Sequence, residues 1–222
     1  MEHTNEEQQQ TYSLPRIGEK APDFTAQTTH GEISLSDFEG KWFVLFSHPA
    51  DFTPVCTTEF VAFQGIYNQL RELDTELIGL SVDSVTSHIA WIRNIEENFQ
   101  TTIEFPVIAD LDKKVATRFG MIMPESNGTE TSRAVFVIDG EGVVRSVIYY
   151  PLTTGRNMSE IVRLVEALKT TDEHGVATPA DWQKGDKVIA SPPKTTEDAK
   201  ARLEDSNYDC VDWYFCKKDL NT

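Results

Sequence analysis

Residues 41–60 constrain the fold more than any other stretch. Lys41-Trp-Phe-Val-Leu-Phe46 is a continuous apolar run of strand length, and a run without polar alternation suits a strand covered on both faces. Pro49 ends it. Thr53 then stands where a helix N-cap belongs, and Pro54 takes the first helical position, where its missing N–H costs nothing. Cys56 follows in the first turn. Its sulfur would lie near unpaired backbone N–H groups and the positive end of the helix dipole, a setting that favours the reactive thiolate. Packing as a small buried apolar side chain is the alternative.

The remaining chain alternates in the same manner. Phe60, Phe63, Ile66, Tyr67, Leu70 and Leu73 recur at helical spacing, with Gly65 a modest weakness. Residues 76–82 read as a second buried strand, and the helix after it carries Ile89, Ile92, Ile95 and Phe99 on one face. Residues 105–109 form a third strand, 112–119 a helix stopped by Gly120, and 121–131 a loop. Upstream, residues 14–24 are an extended lead-in, His30-Gly31-Glu32 turns between short strands, and 35–40 form a short turn. Residues 134–138 and 143–149, joined by Asp139-Gly-Glu-Gly142, make a hairpin. A helix over 159–170 turns Ile161, Leu164, Val165 and Leu168 inward. The order predicts an α/β fold with a mixed central sheet flanked by helices.

Residues 1–13 read as a flexible N-terminal tail and 14–170 as the main domain. After Thr170 the composition shifts, with Gly175, Pro179, Gly185, Pro192 and Pro193 and few apolar runs. A short helix over 196–203 precedes an aromatic tail, 207–217, that carries Cys210 and Cys216. Residues 171–222 are therefore expected to be an arm that packs against a second subunit. The net charge of −16 comes without a Lys/Arg cluster, which argues against nucleic acid as a partner. No apolar run has membrane-span length, and the acidic first residues are unlike a signal peptide. Three cysteines do not make a disulfide framework, so a cytoplasmic location is expected, with any disulfide a catalytic intermediate rather than a staple.

Pro49, Thr53 and Cys56 match the P-x-x-x-T-x-x-C signature of peroxiredoxins. Residues 132–139 resemble the family's second signature, which delivers an arginine, here Arg133. Thr153-Thr-Gly-Arg-Asn157 and the long arm resemble the one-cysteine subfamily, and the resemblance runs over residues 14–217. It implies a thioredoxin-like fold with a C-terminal extension. It also implies a thiol-dependent peroxidase that reduces hydrogen peroxide and organic hydroperoxides in antioxidant defence and redox homeostasis. A thioredoxin-like or other dithiol donor would supply electrons, with no cofactor and no metal. The assembly implied is a homodimer, building further into a homodecamer.

By this resemblance Cys56 is the nucleophile that becomes a sulfenic acid. Arg133 would hold thiolate and peroxide with a fixed, always-charged fork. Thr53 either places its hydroxyl on the peroxide or caps the helix at the Cys56 N–H. Pro49 shapes and shields the loop. Glu59, one turn after Cys56, either orients an arginine or is an exposed helix carboxylate. His48 would lie near the peroxide, and Arg156 would be a second arginine of the site. His3, His30, His88 and His174 show no ligand spacing and carry no assignment.

Cys210 and Cys216 admit zinc binding, inert packing or resolution of the sulfenic acid. Zinc sites favour C-x-x-C pairs and histidine partners, which are absent. The cysteines depart from the one-cysteine pattern and resemble a three-cysteine archaeal variant. There Cys216 would resolve by reaching Cys56 of a neighbouring subunit, with Cys210 auxiliary. Thioredoxin-like dithiol exchange is excluded by the threonine in Thr53-Pro-Val-Cys56. A redox-sensor or chaperone role stays open as a second function. Phospholipase activity is not expected, because Glu39-Gly-Lys-Trp42 lacks a serine and no G-x-S-x-G occurs.

Overall fold

The computed structural model describes residues 14–122 and 130–220. The expected tail 1–13 and most of the expected loop 121–131 lie outside them. The chain forms two compact units, one ending at Arg156 and one beginning at Asn157.

The first unit is built on a seven-stranded mixed sheet. Its strands are β1 (Thr25–Thr28), β2 (Gly31–Ser34), β3 (Trp42–Ser47), β4 (Thr75–Ser81), β5 (Val107–Ala109), β6 (Arg133–Ile138) and β7 (Val144–Tyr150), in the order β2-β1-β5-β4-β3-β6-β7. The central strands β3, β4 and β5 run parallel, and the others pair antiparallel. Parallel neighbours need crossovers. These are the helices α1 (Pro54–Glu72) and α2 (Val85–Phe99).

The apolar run of β3 has the expected cause. Phe43 and Leu45 join a buried cluster with Phe24, Ile78, Phe119 and Phe136 on one face of the sheet. Phe46 serves the other face, stacked on Phe63 at 3.8 Å and edge-on to Phe60 and Phe105 at 5.6 Å. Gly79 on β4 permits that packing, since a Cβ there would stand 3.1 Å from the Phe46 ring. The short helix α3 (Lys114–Arg118) starts on the Asp110 carboxylate, which accepts from the N–H groups of Val115 and Ala116 at 3.1 and 2.7 Å.

The face of α2 differs from the expected one. His88, Trp91 and Ile95 are buried, while Ile89 and Phe99 are 47% and 50% exposed. The isoleucine spacing gave way because Trp91 buries more apolar area and packs 4.4 Å from Phe60, and because His88 is anchored by hydrogen bonds.

In the second unit α4 (Met158–His174) extends beyond the expected 159–170. Asn157 caps it by accepting from Ser159 N at 3.1 Å, and Gly175 closes it in the left-handed region, φ 59°. Met158, Ile161, Val162, Val165 and Ala167 are its buried side chains. Strands β8 (Val188–Ile189), β9 (Asp209–Asp212) and β10 (Phe215–Lys218) form a small antiparallel sheet in the order β8-β10-β9. Trp182 packs with Ala167 and Val188 in a separate core. Helix α5 (Thr196–Glu204) matches the expected short helix. Among the described residues no helix is long and apolar enough to cross a membrane.

Candidate active site

Between the end of β3 and the start of α1 the chain must turn within a few residues. It does so through Phe52, which adopts φ 55°, a costly left-handed conformation for a bulky side chain. The Asp51 N–H donates to Asp83 beyond β4 at 3.0 Å and ties the loop down. Thr53 has the extended backbone of an N-cap, with Pro54 at the first helical position. Its hydroxyl, however, donates back to the Ala50 carbonyl at 2.9 Å and does not cap the helix. Of the two uses expected for Thr53, capping is thus ruled out. The first-turn N–H groups beside Cys56 receive nothing from it.

Cys56 is completely buried in that turn. Arg133, the first residue of β6, donates from Nη1 to Cys56 Sγ at 3.4 Å and to Glu59 Oε2 at 2.6 Å. Its Nε and Nη2 both donate to the Leu152 carbonyl, at 2.9 and 2.7 Å, which fixes the plane of the fork. Glu59 is 2% exposed, so it is not a surface carboxylate. It also accepts from Arg156: Oε1 from the backbone N and Nε at 2.9 and 2.8 Å, Oε2 from Nη2 at 2.7 Å. The remaining Nη1 of Arg156 donates to the carbonyls of Ser47 and Ala134, both at 2.9 Å. That guanidinium also lies over the rings of Phe46 and Phe63, 5.2 and 5.1 Å from their centres.

Two guanidinium charges here face one carboxylate. One positive charge is thus left over beside the Cys56 sulfur, and buried charge is tolerated only when matched. Burial would raise the Glu59 carboxyl, but hydrogen bonds and charge from Arg156 outweigh it and hold it below the usual range. Burial draws the Arg156 guanidinium down from its usual value, against the opposing pull of Glu59.

His48 and Pro49 are both buried. The His48 ring stands edge-on to Phe60 at 4.7 Å and 5.1 Å from Trp91, and its Nε2 pairs with Asp51 Oδ1 at 2.9 Å. The same carboxylate meets His88 Nδ1, at 3.0 Å through Oδ1 and 2.9 Å through Oδ2. Asp51 and His88 were not singled out from sequence. The available signal was the tryptophan three residues after His88, which marks that face of α2 as buried. His48, Asp51 and His88 offer atoms within 4.8 Å of one another, as a metal site would. Those atoms are already engaged in histidine–carboxylate hydrogen bonds, which account for the cluster without an ion.

Cys210 and Cys216 face each other across the β9–β10 hairpin and are disulfide-bonded. Among the described residues Cys56 is the free cysteine. Cys216 is buried, whereas the hairpin tip exposes Trp213, Tyr214 and Phe215. A hollow of about 400 Å³ borders the Cys56 turn through Phe52, Thr53, Pro54 and Thr57. A larger one, about 660 Å³ among Lys20, Leu35, Phe38 and Glu141, holds none of the residues just described.

Comparison with known proteins places this arrangement. The AhpC/TSA family model matches residues 17–147, and the C-terminal domain of 1-Cys peroxiredoxin matches residues 167–206. The peroxiredoxin of Aquifex aeolicus is 57% identical over 217 residues, covering 93% of this chain and 97% of its own. That of Methanocaldococcus jannaschii is 53% identical over 218 residues, covering 94% and 100%. Among solved structures, the yeast mitochondrial 1-Cys peroxiredoxin superposes with a TM-score of 0.82 at 40% identity, covering 93% of this chain and all of that one. A cysteine-to-serine variant of peroxiredoxin 6 of Arenicola marina gives 0.82 at 36% identity, covering 92% and 97%. With the family model spanning more than half of its length and relatives at 57% and 53% identity spanning nearly all of it, the chain belongs to the peroxiredoxin family and is a thiol-dependent peroxidase.

Proposed function

We propose that Cys56 is the peroxidatic nucleophile for hydrogen peroxide and small organic hydroperoxides. The observation that carries this is the 3.4 Å approach of the Arg133 fork to the Cys56 sulfur. The thiolate attacks the terminal oxygen of the hydroperoxide. The S–O bond forms as the O–O bond breaks, and the departing oxygen takes a proton and leaves as alcohol or water. Arg133 polarises the peroxide and stabilises the charge on the leaving oxygen, with donors that need not reorganise. Thr53, its hydrogen directed at Ala50, presents oxygen lone pairs to the peroxide. Glu59 and Arg156 hold Arg133 in place, Pro49 walls the loop, and His48 lies at the substrate side of the site. Replacing Cys56 by serine should abolish turnover; retained peroxidase activity would defeat the assignment.

Residues 14–170 act as the peroxidase domain and 171–222 as the arm that closes the cycle. Cys216 captures the sulfenic acid of a neighbouring subunit, releasing water and forming a Cys56–Cys216 disulfide. Cys210 then displaces Cys56, which leaves the bonded Cys210–Cys216 pair for a dithiol reductant to reopen. The assembly is a homodimer that builds into a homodecamer, and the location is cytoplasmic. After peroxide treatment Cys210→Ser should run as a disulfide-linked dimer on a non-reducing gel, and Cys216→Ser should not. A dimer in Cys216→Ser would transfer the resolving role to Cys210.

A further inference from the structure

Among the described residues two buried side-chain polar atoms lack a hydrogen-bond partner, the rotatable Ser132 hydroxyl and one nitrogen of a fixed ring. Nδ1 of His48 has no hydrogen-bond partner, although the ring is fully buried. Buried polar atoms are nearly always satisfied, so an orphan on a fixed ring calls for an explanation. Its neighbours decide its protonation. Burial alone would raise the Asp51 carboxyl, yet the hydrogen bonds from His48 and His88 hold it far below the usual carboxylate range. Asp51 is therefore ionised and can only accept. The ring atoms that meet it, His48 Nε2 and His88 Nδ1, must both be N–H donors. Burial pushes the His48 imidazole below its ordinary value, with the Asp51 hydrogen bond opposing, so the ring is neutral. A neutral ring with its proton on Nε2 carries a bare lone pair on Nδ1.

His88 is the second half of the clamp. Its Nε2 lies 3.1 Å from the Ile108 carbonyl, so its two ring nitrogens face acceptors on β5 and on the loop. The ring is thereby fixed between β5 and the loop and presents one donor to Asp51 throughout. Asp83 is the other carboxylate near His48, and it is engaged with the Asp51 N–H and the Ser81 hydroxyl.

We propose that Asp51 and His88 are positioning residues that lock His48 in the Nε2–H tautomer, keeping Nδ1 as an acceptor for one of the two O–H groups of bound hydrogen peroxide. The proposal rests on Cys56 being the reacting cysteine. His48 follows Ser47, whose carbonyl Arg156 holds, and its ring packs on Phe60, one turn of α1 beyond Cys56. With the proton on Nδ1 instead, the same atom would be a donor and could not accept from the peroxide.

The test is 15N NMR of the imidazole rings in the reduced, full-length protein, joined to rates of Cys56 oxidation. In the wild type without peroxide, His48 should show a pyridine-type Nδ1 and a pyrrole-type Nε2, and His88 a protonated Nδ1. A protonated His48 Nδ1 overturns the proposal whether or not Cys56 proves to be the reacting cysteine. Asp51→Asn should move the His48 proton and slow oxidation by hydrogen peroxide about tenfold or more, the scale on which partners of this kind act. Iodoacetamide alkylation of Cys56, which needs thiolate but no acceptor for O–H, should stay within about twofold. His88→Asn, which retains a donor at the Nδ1 position, should keep the tautomer and most of the rate, whereas His88→Phe should lose both. Equal losses of oxidation and alkylation, or an unmoved tautomer in Asp51→Asn, would refute the lock.

Discussion

Glu59→Gln tests whether the carboxylate is what allows two arginines to sit beside a buried thiol. Glu59 accepts four hydrogen bonds from Arg133 and Arg156 at 2.6 to 2.9 Å, all from charged or backbone donors, at 2% exposure. Glutamine keeps one acceptor oxygen and turns an NH2 group towards guanidinium. The local charge rises by one, and breaking a buried pair by removing one partner costs about 3–5 kcal/mol. At roughly 2–4 °C per kcal/mol for a chain of this size, the melting temperature should fall by about 6–20 °C. Arg133 also loses the partner that holds Nη1 at the sulfur, so the rate constant for Cys56 oxidation should fall by about tenfold or more. Scanning calorimetry and stopped-flow oxidation of the reduced protein read the two effects. A melting temperature within about 2 °C of wild type, with an unchanged rate, would refute the reasoning.

Arg133→Lys keeps the charge but cannot span Cys56, Glu59 and the Leu152 carbonyl together. Oxidation by hydrogen peroxide should slow by about 10²–10³-fold in stopped flow, and a loss under threefold would deny the fork its role. Stability should also depend on His48. Its buried ring is held below the ordinary imidazole value, so below pH of about 6.5 the unfolded chain takes up a proton that the folded chain excludes. Its contribution is therefore complete above that pH and declines as pH falls. The melting temperature of the wild type should drop between pH 7 and pH 5, and the drop should be shallower in His48→Gln; an equally steep drop in both would contradict the assignment.

The parts of the structure legible in sequence were those set by local, redundant signals. Thr53-Pro54 after an apolar run marked the start of α1, and the turn 139–142 between two apolar runs marked the hairpin of β6 and β7. Cys56, Arg133 and Arg156 were legible through the family motifs, whereas Glu59 stood open between orienting an arginine and lying exposed; the structure brings all four together. What escaped depends on geometry that residue types do not encode. The Thr53 hydroxyl turns to Ala50 where the backbone at Phe52 is left-handed, and nothing in a phenylalanine announces φ 55°. The face of α2 follows not the isoleucines at helical spacing but a single tryptophan and a histidine whose partner lies 37 residues away. Cys210 and Cys216 were weighed as separate thiols, whereas the hairpin register sets them opposite each other.

The most direct measurement is the site of oxidation when the protein, reduced at all three cysteines, meets one equivalent of hydrogen peroxide. A sulfenic-acid trap such as dimedone, added at once and followed by peptide mass mapping, locates the first oxidised sulfur. The expected result is a single adduct on Cys56, absent in Cys56→Ser and scarce in Arg133→Lys. An adduct first on Cys210 or Cys216, with Cys56 unmodified, would contradict the claim that the buried thiol beneath Arg133 is the peroxide-reducing centre.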